Sequence, residues 1–274
     1  MVISSFQPTA ESSDILRIAL DSIQYLTKEE VSVWVVDVGS PKHNNIVRKD
    51  EYNDINFIVT YHTPNEKSNY PLWKRIMGIK QPRSGSYANG WTLELACSVF
   101  RRINYQPNYI MTLQMDVMVT AENWLEVLLT KFNKDVIAVG VLKQLCFDKS
   151  EEILHSLGCV WDYQKFKLLN TSFMPEFPNY DVGEKAIVNA KNSGFKIEAL
   201  RNTFSESTLV DVLDKKFKDL PGVDRALDDK NNVVFMHLGR GIPKSDGTYW
   251  KKGKTTVQDW IRFYQKNIST SRKD

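Results

Sequence analysis

Tyr109-Ile110-Met111-Thr112-Leu113-Gln114-Met115-Asp116-Val117-Met118-Val119 is the stretch on which the reading of this chain turns. It is an apolar, β-branched run with one acidic residue near its end, and a helix-patterned segment, Ala121 to Phe132, follows at once. Such a pair predicts a buried strand that ends in a carboxylate at the carboxyl edge of an open α/β sheet, where these sheets bind their ligands. Asp116 is therefore the first functional candidate. The competing reading makes it the start of a turn that caps the next helix.

Upstream, Met1 to Phe6 has strand character, and Pro8 with Ser12-Ser13-Asp14 announces a helix through Leu26 that carries Ile15, Ile18, Ala19 and Ile23 on one face. Val31 to Val36 is the next strand and runs into Asp37-Val38-Gly39-Ser40. Strand, helix, strand predicts a parallel pair with a right-handed crossover, which places the Asp37 corner on the same sheet edge as Asp116. An Asp there can accept from a base or ribose, and an Asx turn would look the same. Asn56 to Tyr61 is a third strand. His62 to Ser84 is polar and punctuated by proline, and is read as loop with at most one helical segment. Ser84 to Gly90 is expected to be a glycine loop leading into a helix from Trp91 to Arg102, an arrangement suited to an anion.

Downstream, Asp135 to Leu142 is a strand, and Leu154 to Asp162 is β-rich with a turn expected at Gly158. Tyr180-Asp181-Val182-Gly183-Glu184 opens a helix that runs to Asn192 and stops at Gly194. Phe195 to Leu200 and Asn232 to His237 are strands, and Phe204 to Lys230 between them is charged and read as surface. Val257, Trp260, Ile261 and Tyr264 recur at helical spacing in the tail, a pattern that predicts packing on the core. An amphipathic contact with an anionic membrane is the alternative.

Composition narrows the class. With 42% hydrophobic and 25% charged residues the chain is an ordinary folded one, and a net charge of +3 is too small to point to nucleic acid. Only the tail is locally basic, through Lys244, Lys251, Lys252 and Lys254. Cys97, Cys146 and Cys159 have no paired or metal-like spacing, so a reducing compartment, the cytoplasm by default, is expected. The first residues lack a basic region followed by an apolar stretch of signal length, and no apolar run reaches the roughly 18 residues of a membrane span.

In order along the chain, the first strand, Val35-Val36-Asp37-Val38-Gly39-Ser40, the Gly85 to Gly90 segment, Gln114-Met115-Asp116, Leu154-His155-Ser156-Leu157-Gly158 and Tyr180 to Glu184 resemble the motifs of family 2-type glycosyltransferases, inverting enzymes that use nucleotide sugars. The resemblance implies the GT-A fold: a Rossmann-like α/β architecture with a mixed, mainly parallel central sheet flanked by helices, here with a C-terminal helical appendage. Residues 1–242 would form the transferase domain, with 1–120 the donor half and 121–242 the acceptor half, and 243–274 a basic lid loop and helix.

The same resemblance implies a role for each position. Ser4, Ser5, Phe6, Asp37, Gly85, Gln114, Asp116, Arg240 and Lys244 would hold the nucleotide-sugar donor. Asp116 and His237 would hold a divalent metal, Mn²⁺ or Mg²⁺. Asp181 would be the general base, with Glu184 competing for that role. The acceptor would be a glycan or lipid-linked glycan of bacterial surface polysaccharide or lipopolysaccharide synthesis, at the inner face of the membrane if the tail binds there. Gln114 departs from the family, which has an acid at this position. An amide offers no charged oxygen to a cation, so a catalytically degenerate nucleotide-sugar or glycan binder stays open. A nucleotidyltransferase is disfavoured, because Gln7 to Glu11 is not a glycine- and base-rich phosphate loop.

Overall fold

The computed structural model describes residues 1–42, 46–60, 84–145, 148, 150–239 and 255–269. Its centre is a ten-stranded mixed sheet. β1 (Val2–Ser5), β2 (Val33–Val38), β3 (Ile55–Thr60) and β4 (Tyr109–Gln114) are parallel, in the order β3-β2-β1-β4. β7 (Glu152–Asp162) runs antiparallel to β4 and to β6 (Val136–Gln144), and β8 (Lys196–Asn202) runs parallel to β6. β9 (Asp224–Leu227), β10 (Val233–His237) and β5 (Val117–Val119) follow as an antiparallel run that completes the sheet.

The period of two in the strands feeds two cores. On β2, Val33 and Val35 enter one layer and Val36 and Val38 the other. The first layer is covered by α1 (Ala10–Leu26), α3 (Trp124–Leu129) and α7 (Val257–Asn267), which bury Leu16, Trp124 and Trp260. The second lies under α2 (Ser84–Arg102) and α5 (Glu184–Asn192), with Phe100 and Ile187 inside it. α1 starts at a reciprocal cap, Thr9 with Ser12, which satisfies backbone donors the first turn would leave open. Ser22 of α1 then accepts from Val119 N at 3.1 Å, fixing the helix to β5. α7 buries Val257 and Trp260 in the same core, as the spacing predicts, with Ile261 and Tyr264 partly buried against it, and Phe263, outside the expected stripe, is buried as well. No helix among the described residues is long and apolar enough to cross a membrane.

Several expectations are corrected. The decisive stretch is two strands, because its partner changes at Asp116. Met115 N still donates to Ser4 O of β1 at 3.2 Å, whereas Leu238 N donates to Asp116 O at 3.0 Å and β5 then pairs with β10. Gly85 to Gly90 is helix, not loop, since α2 begins at Ser84. Gly90 is required for packing: a Cβ there would come within 3.0 Å of Pro175 Cδ and 3.1 Å of Met174 Cα. β7 passes through Gly158 without a turn.

The segment from Phe204 to Lys230 is mostly exposed, as expected, but it also has an apolar inner side. It contributes β9, buries Leu209, Leu213, Phe217, Leu220 and Val223, and holds the buried Arg225 against the carbonyls of Phe217, Leu220 and Val223. Asp211 on a 3₁₀ turn and Lys215, Lys216 and Lys218 on a short helix, Lys215–Lys218, face outward, so composition hid the apolar inner side. Residues 61–83, which include the loop after the third strand, fall outside the described residues.

Candidate active site

Parallel register brings the first group of candidates together. Ser5 pairs with Asp37 across β1 and β2, and Ser4 pairs with Gln114 across β1 and β4, so the carboxyl ends of the three strands form one ledge. Much of that ledge is bonded internally. Ser5 Oγ, Gln7 Nε2 and Ser40 Oγ donate to Asp37 Oδ2 at 2.8, 3.1 and 2.7 Å, which ties the end of β1 to the corner after β2. Ser4 Oγ donates to Asn89 Oδ1 at 2.8 Å and accepts from Thr92 Oγ1 at 2.9 Å, joining the ledge to α2. Phe6, just beyond, is 42% exposed and offers an aromatic side chain at the rim.

Asp116 is different. It is 1% exposed, and its Oδ1 is buried with no hydrogen-bond partner. His237, at the end of β10, stands with Nε2 3.3 Å from that oxygen and 2.5 Å from Gln114 Oε1, while Asp224 Oδ2 lies 3.6 Å from its Nδ1. Burial pushes the imidazole pKa down, but the Asp116 and Asp224 carboxylates outweigh it and hold the group at about 10. At neutral pH the ring is therefore a cation between two acids, and its Nε2–H donates to Gln114.

A carboxylate oxygen, an amide oxygen and an imidazole nitrogen thus converge, and the orphaned Asp116 Oδ1 is the atom a cation would satisfy. The donor set fits a divalent metal. Among the described residues no three His, Cys, Asp or Glu side chains form a metal cluster, so Gln114 Oε1 would have to be the third donor beside Asp116 and His237.

The second group meets the first through β7. Gly140 of β6 pairs with Cys159, but Leu142 already pairs with Leu154, so His155 to Gly158 bulge opposite the single residue Val141. Thr112 Oγ1 of β4 donates to Ser156 O within the bulge. The His155 ring lies 6.0 Å from that of His237, and Ser156 Oγ donates to Val182 O at 2.7 Å. The acidic loop before α5 is thereby seated on the bulge. Gly183 has φ +68 there, and its N donates to Phe173 O at 2.9 Å.

The two acids of this loop occupy different environments. Glu184 is buried, with Oε1 2.8 Å from Lys143 Nζ and Oε2 accepting from Asp181 N at 2.8 Å. Asp181 is half-buried, and its Oδ1 accepts from Val182 N at 2.8 Å.

The structure thus gathers Ser4, Ser5, Phe6, Asp37, Gln114, Asp116 and His237 at one sheet edge, and links Asp181 and Glu184 to it through β7. Gly85 lies in the first turn of α2. Arg240 and Lys244, with the expected lid loop and Cys146, lie outside the described residues. The sequence reading missed Lys143, Asp224, Asn89 and Thr92. Lys143 did leave a trace, as a cation at the end of an apolar strand that needs a partner. Asp224 left none, inside a segment rich in charge.

This ledge, closed by an acid and a histidine from distant strands, sits on a GT-A fold, the α/β fold of the glycosyltransferases among its structural neighbours. No family model matches the chain, and no curated protein matches it. The likeness that shows the fold is to an active-site mutant of LgtC, with a TM-score of 0.50 at 14% identity over 97% of this chain and 95% of that one. The galactosyltransferase LgtC in complex with donor and acceptor sugar analogues has a TM-score of 0.49 at 13% identity, over the same shares of the two chains, 97% and 95%. A mannosyltransferase from Pyrobaculum calidifontis, in complex with GDP-Man and Mn²⁺, has 0.47 at 14% identity over 72% of this chain. It is matched over 53% of its own length, so this chain spans about half of it.

Proposed function

We propose that the chain is a nucleotide-sugar-dependent glycosyltransferase that transfers a sugar to an acceptor hydroxyl with inversion. The observation that carries this reading is the buried, unpartnered Asp116 Oδ1 beside His237 Nε2 and Gln114 Oε1, at the carboxyl edge of a GT-A sheet. Asp116, His237 and Gln114 would hold a divalent cation, which when bound neutralises charge developing on a diphosphate leaving group.

Phe6 and the Ser4–Asp37 ledge receive the nucleoside, and Gln114 is also placed to meet a ribose hydroxyl. Asp181, the less enclosed of the two loop acids, takes the proton of the attacking acceptor hydroxyl. Glu184 does not, because both of its oxygens are engaged and it is shut from solvent. The acceptor class is a glycan or lipid-linked glycan. Any membrane contact falls to the tail's charges, since Val257, Trp260 and Phe263 of α7 are buried in the core.

Calorimetric titration of UDP-, GDP-, dTDP- and CMP-sugars with and without Mn²⁺, on wild type and Asp116→Ala, tests the donor site. Saturable binding of one donor, tightened by metal and lost in the variant, is expected; no binding in any arm sinks the proposal. Asp181→Asn is expected to lower kcat by about 10²- to 10⁴-fold with donor affinity kept, and the anomeric configuration of the product by NMR decides inversion. Gln114 favours one second reading, a binder without turnover, which would take up the donor and release no nucleoside diphosphate.

A further inference from the structure

We propose that the buried Lys143–Glu184 ion pair is a positioning device that presents Asp181 to the acceptor, an inference that rests on the transferase reading above. The pair joins two elements otherwise unconnected in sequence, the end of β6 and the first turn of α5, at 2.8 Å, with side chains only 12% and 0% exposed. An ion pair so enclosed is a poor source of stability, because desolvation of both charges offsets most of their attraction. Its geometry serves something else. The second oxygen of Glu184 accepts from Asp181 N at 2.8 Å, so the main chain of the candidate base hangs from the carboxylate that Lys143 fixes.

On the near side of Asp181, Glu176 N donates to Tyr180 O at 2.9 Å, and further anchors lie on the far side. Ser156 Oγ holds Val182 O at 2.7 Å, and Phe173 O accepts from Gly183 N at 2.9 Å. Phe173 is itself held by Glu94 Oε1 of α2, which accepts from its N at 2.6 Å. Glu184 is thus the side-chain anchor of the Asp181 N–H, while Glu176 N holds the carbonyl of the same peptide. Without it, residues 182 and 183 stay seated on the β7 bulge while the Asp181 N–H loses its acceptor and its fixed direction. Lys143 holds Glu184 pointed at that peptide.

The test compares two charge-neutral double variants of the full chain. Lys143→Met with Glu184→Leu removes the acceptor for Asp181 N, and Lys143→Met with Glu184→Gln restores it as an amide oxygen. The Leu pair is expected to lose kcat by on the order of 10- to 100-fold, as a misplaced base does, with donor Kd kept, and the Gln pair to recover most of that loss. Equal kcat in the two pairs, at wild-type or at reduced level, overturns the inference.

Hydrogen exchange without substrate gives a second readout. Faster exchange of the Asp181 amide in the Leu pair than in the Gln pair supports the inference, and equal protection overturns it. Should the Leu pair fail to fold, the Gln pair alone decides: exchange of the Asp181 amide as slow as in wild type is expected, and fast exchange in a protein of native Tm overturns it. Absence of turnover in wild type with every donor sinks the transferase reading instead and leaves the exchange result to judge the pair.

Discussion

Asp37 and Asp116 stand at the ends of strands two apart in the same sheet, both almost wholly buried, and their partners separate them. Asp37 Oδ2 receives three hydroxyl or amide donors, whereas Asp116 Oδ1 receives none and faces only a cationic ring. The first acid is part of the architecture, and the second is poised for a ligand. Asp37→Ala is therefore expected to cost about 2–4 kcal/mol in urea unfolding, because buried donors are left unsatisfied. Asp116→Ala is expected to cost less than Asp37→Ala, since it strands no hydroxyl or amide donor and leaves the His237 ring with Asp224 and Gln114. Equal losses would show that Asp116 too is structural. Both acids were legible in the sequence as strand-end residues, but neither state was, because a hydrogen-bond partner such as Gln7 or His237 is chosen by the folded backbone.

At the scale of elements, the bulge in β7 does most to shape the site. It turns His155 toward His237 and Ser156 toward Val182, where a regular strand would have kept one residue opposite Val141. Gly183 is matched to it: a Cβ there would overlap Ser156 Cβ and lie 2.9 Å from Ser156 Oγ, on a residue already at φ +68. Gly183→Ala combines a left-handed backbone with overpacking and is expected to cost about 2–4 kcal/mol in urea unfolding. A loss under about 0.5 kcal/mol, the range of neutral surface changes, would mean the loop is not seated on the bulge. The reading of a turn at Gly158 found an irregularity and mistook its kind, since a glycine marks a bulge and a turn alike. Likewise Gly90 marks close packing of α2 on residues 173 to 175, which no local pattern distinguishes from a loop.

Over the whole molecule one continuous sheet joins the ledge around Asp37 to the acidic loop by way of β4, β7 and β6, with a hydrophobic layer on each face. Such continuity predicts a single calorimetric transition, and resolved melting of residues 1–120 ahead of the remainder would contradict it. A bound donor at a hundred times its Kd adds about 2.7 kcal/mol to the folded state, expected as a rise in Tm of roughly 5 °C.

The sequence alone determined most of the strands and helices, the acids at the strand ends and the packing of the tail helix, because hydrophobic period, caps and glycines act over a few residues. Only the tertiary structure decided that the strand of Tyr109 to Val119 breaks at Asp116, that His237 returns beside it and that Lys143 reaches Glu184. Period tells which face of a strand is buried and is silent on which strand lies next to it. That choice is made by long-range pairing and packing, and it is what turned scattered polar residues into a site.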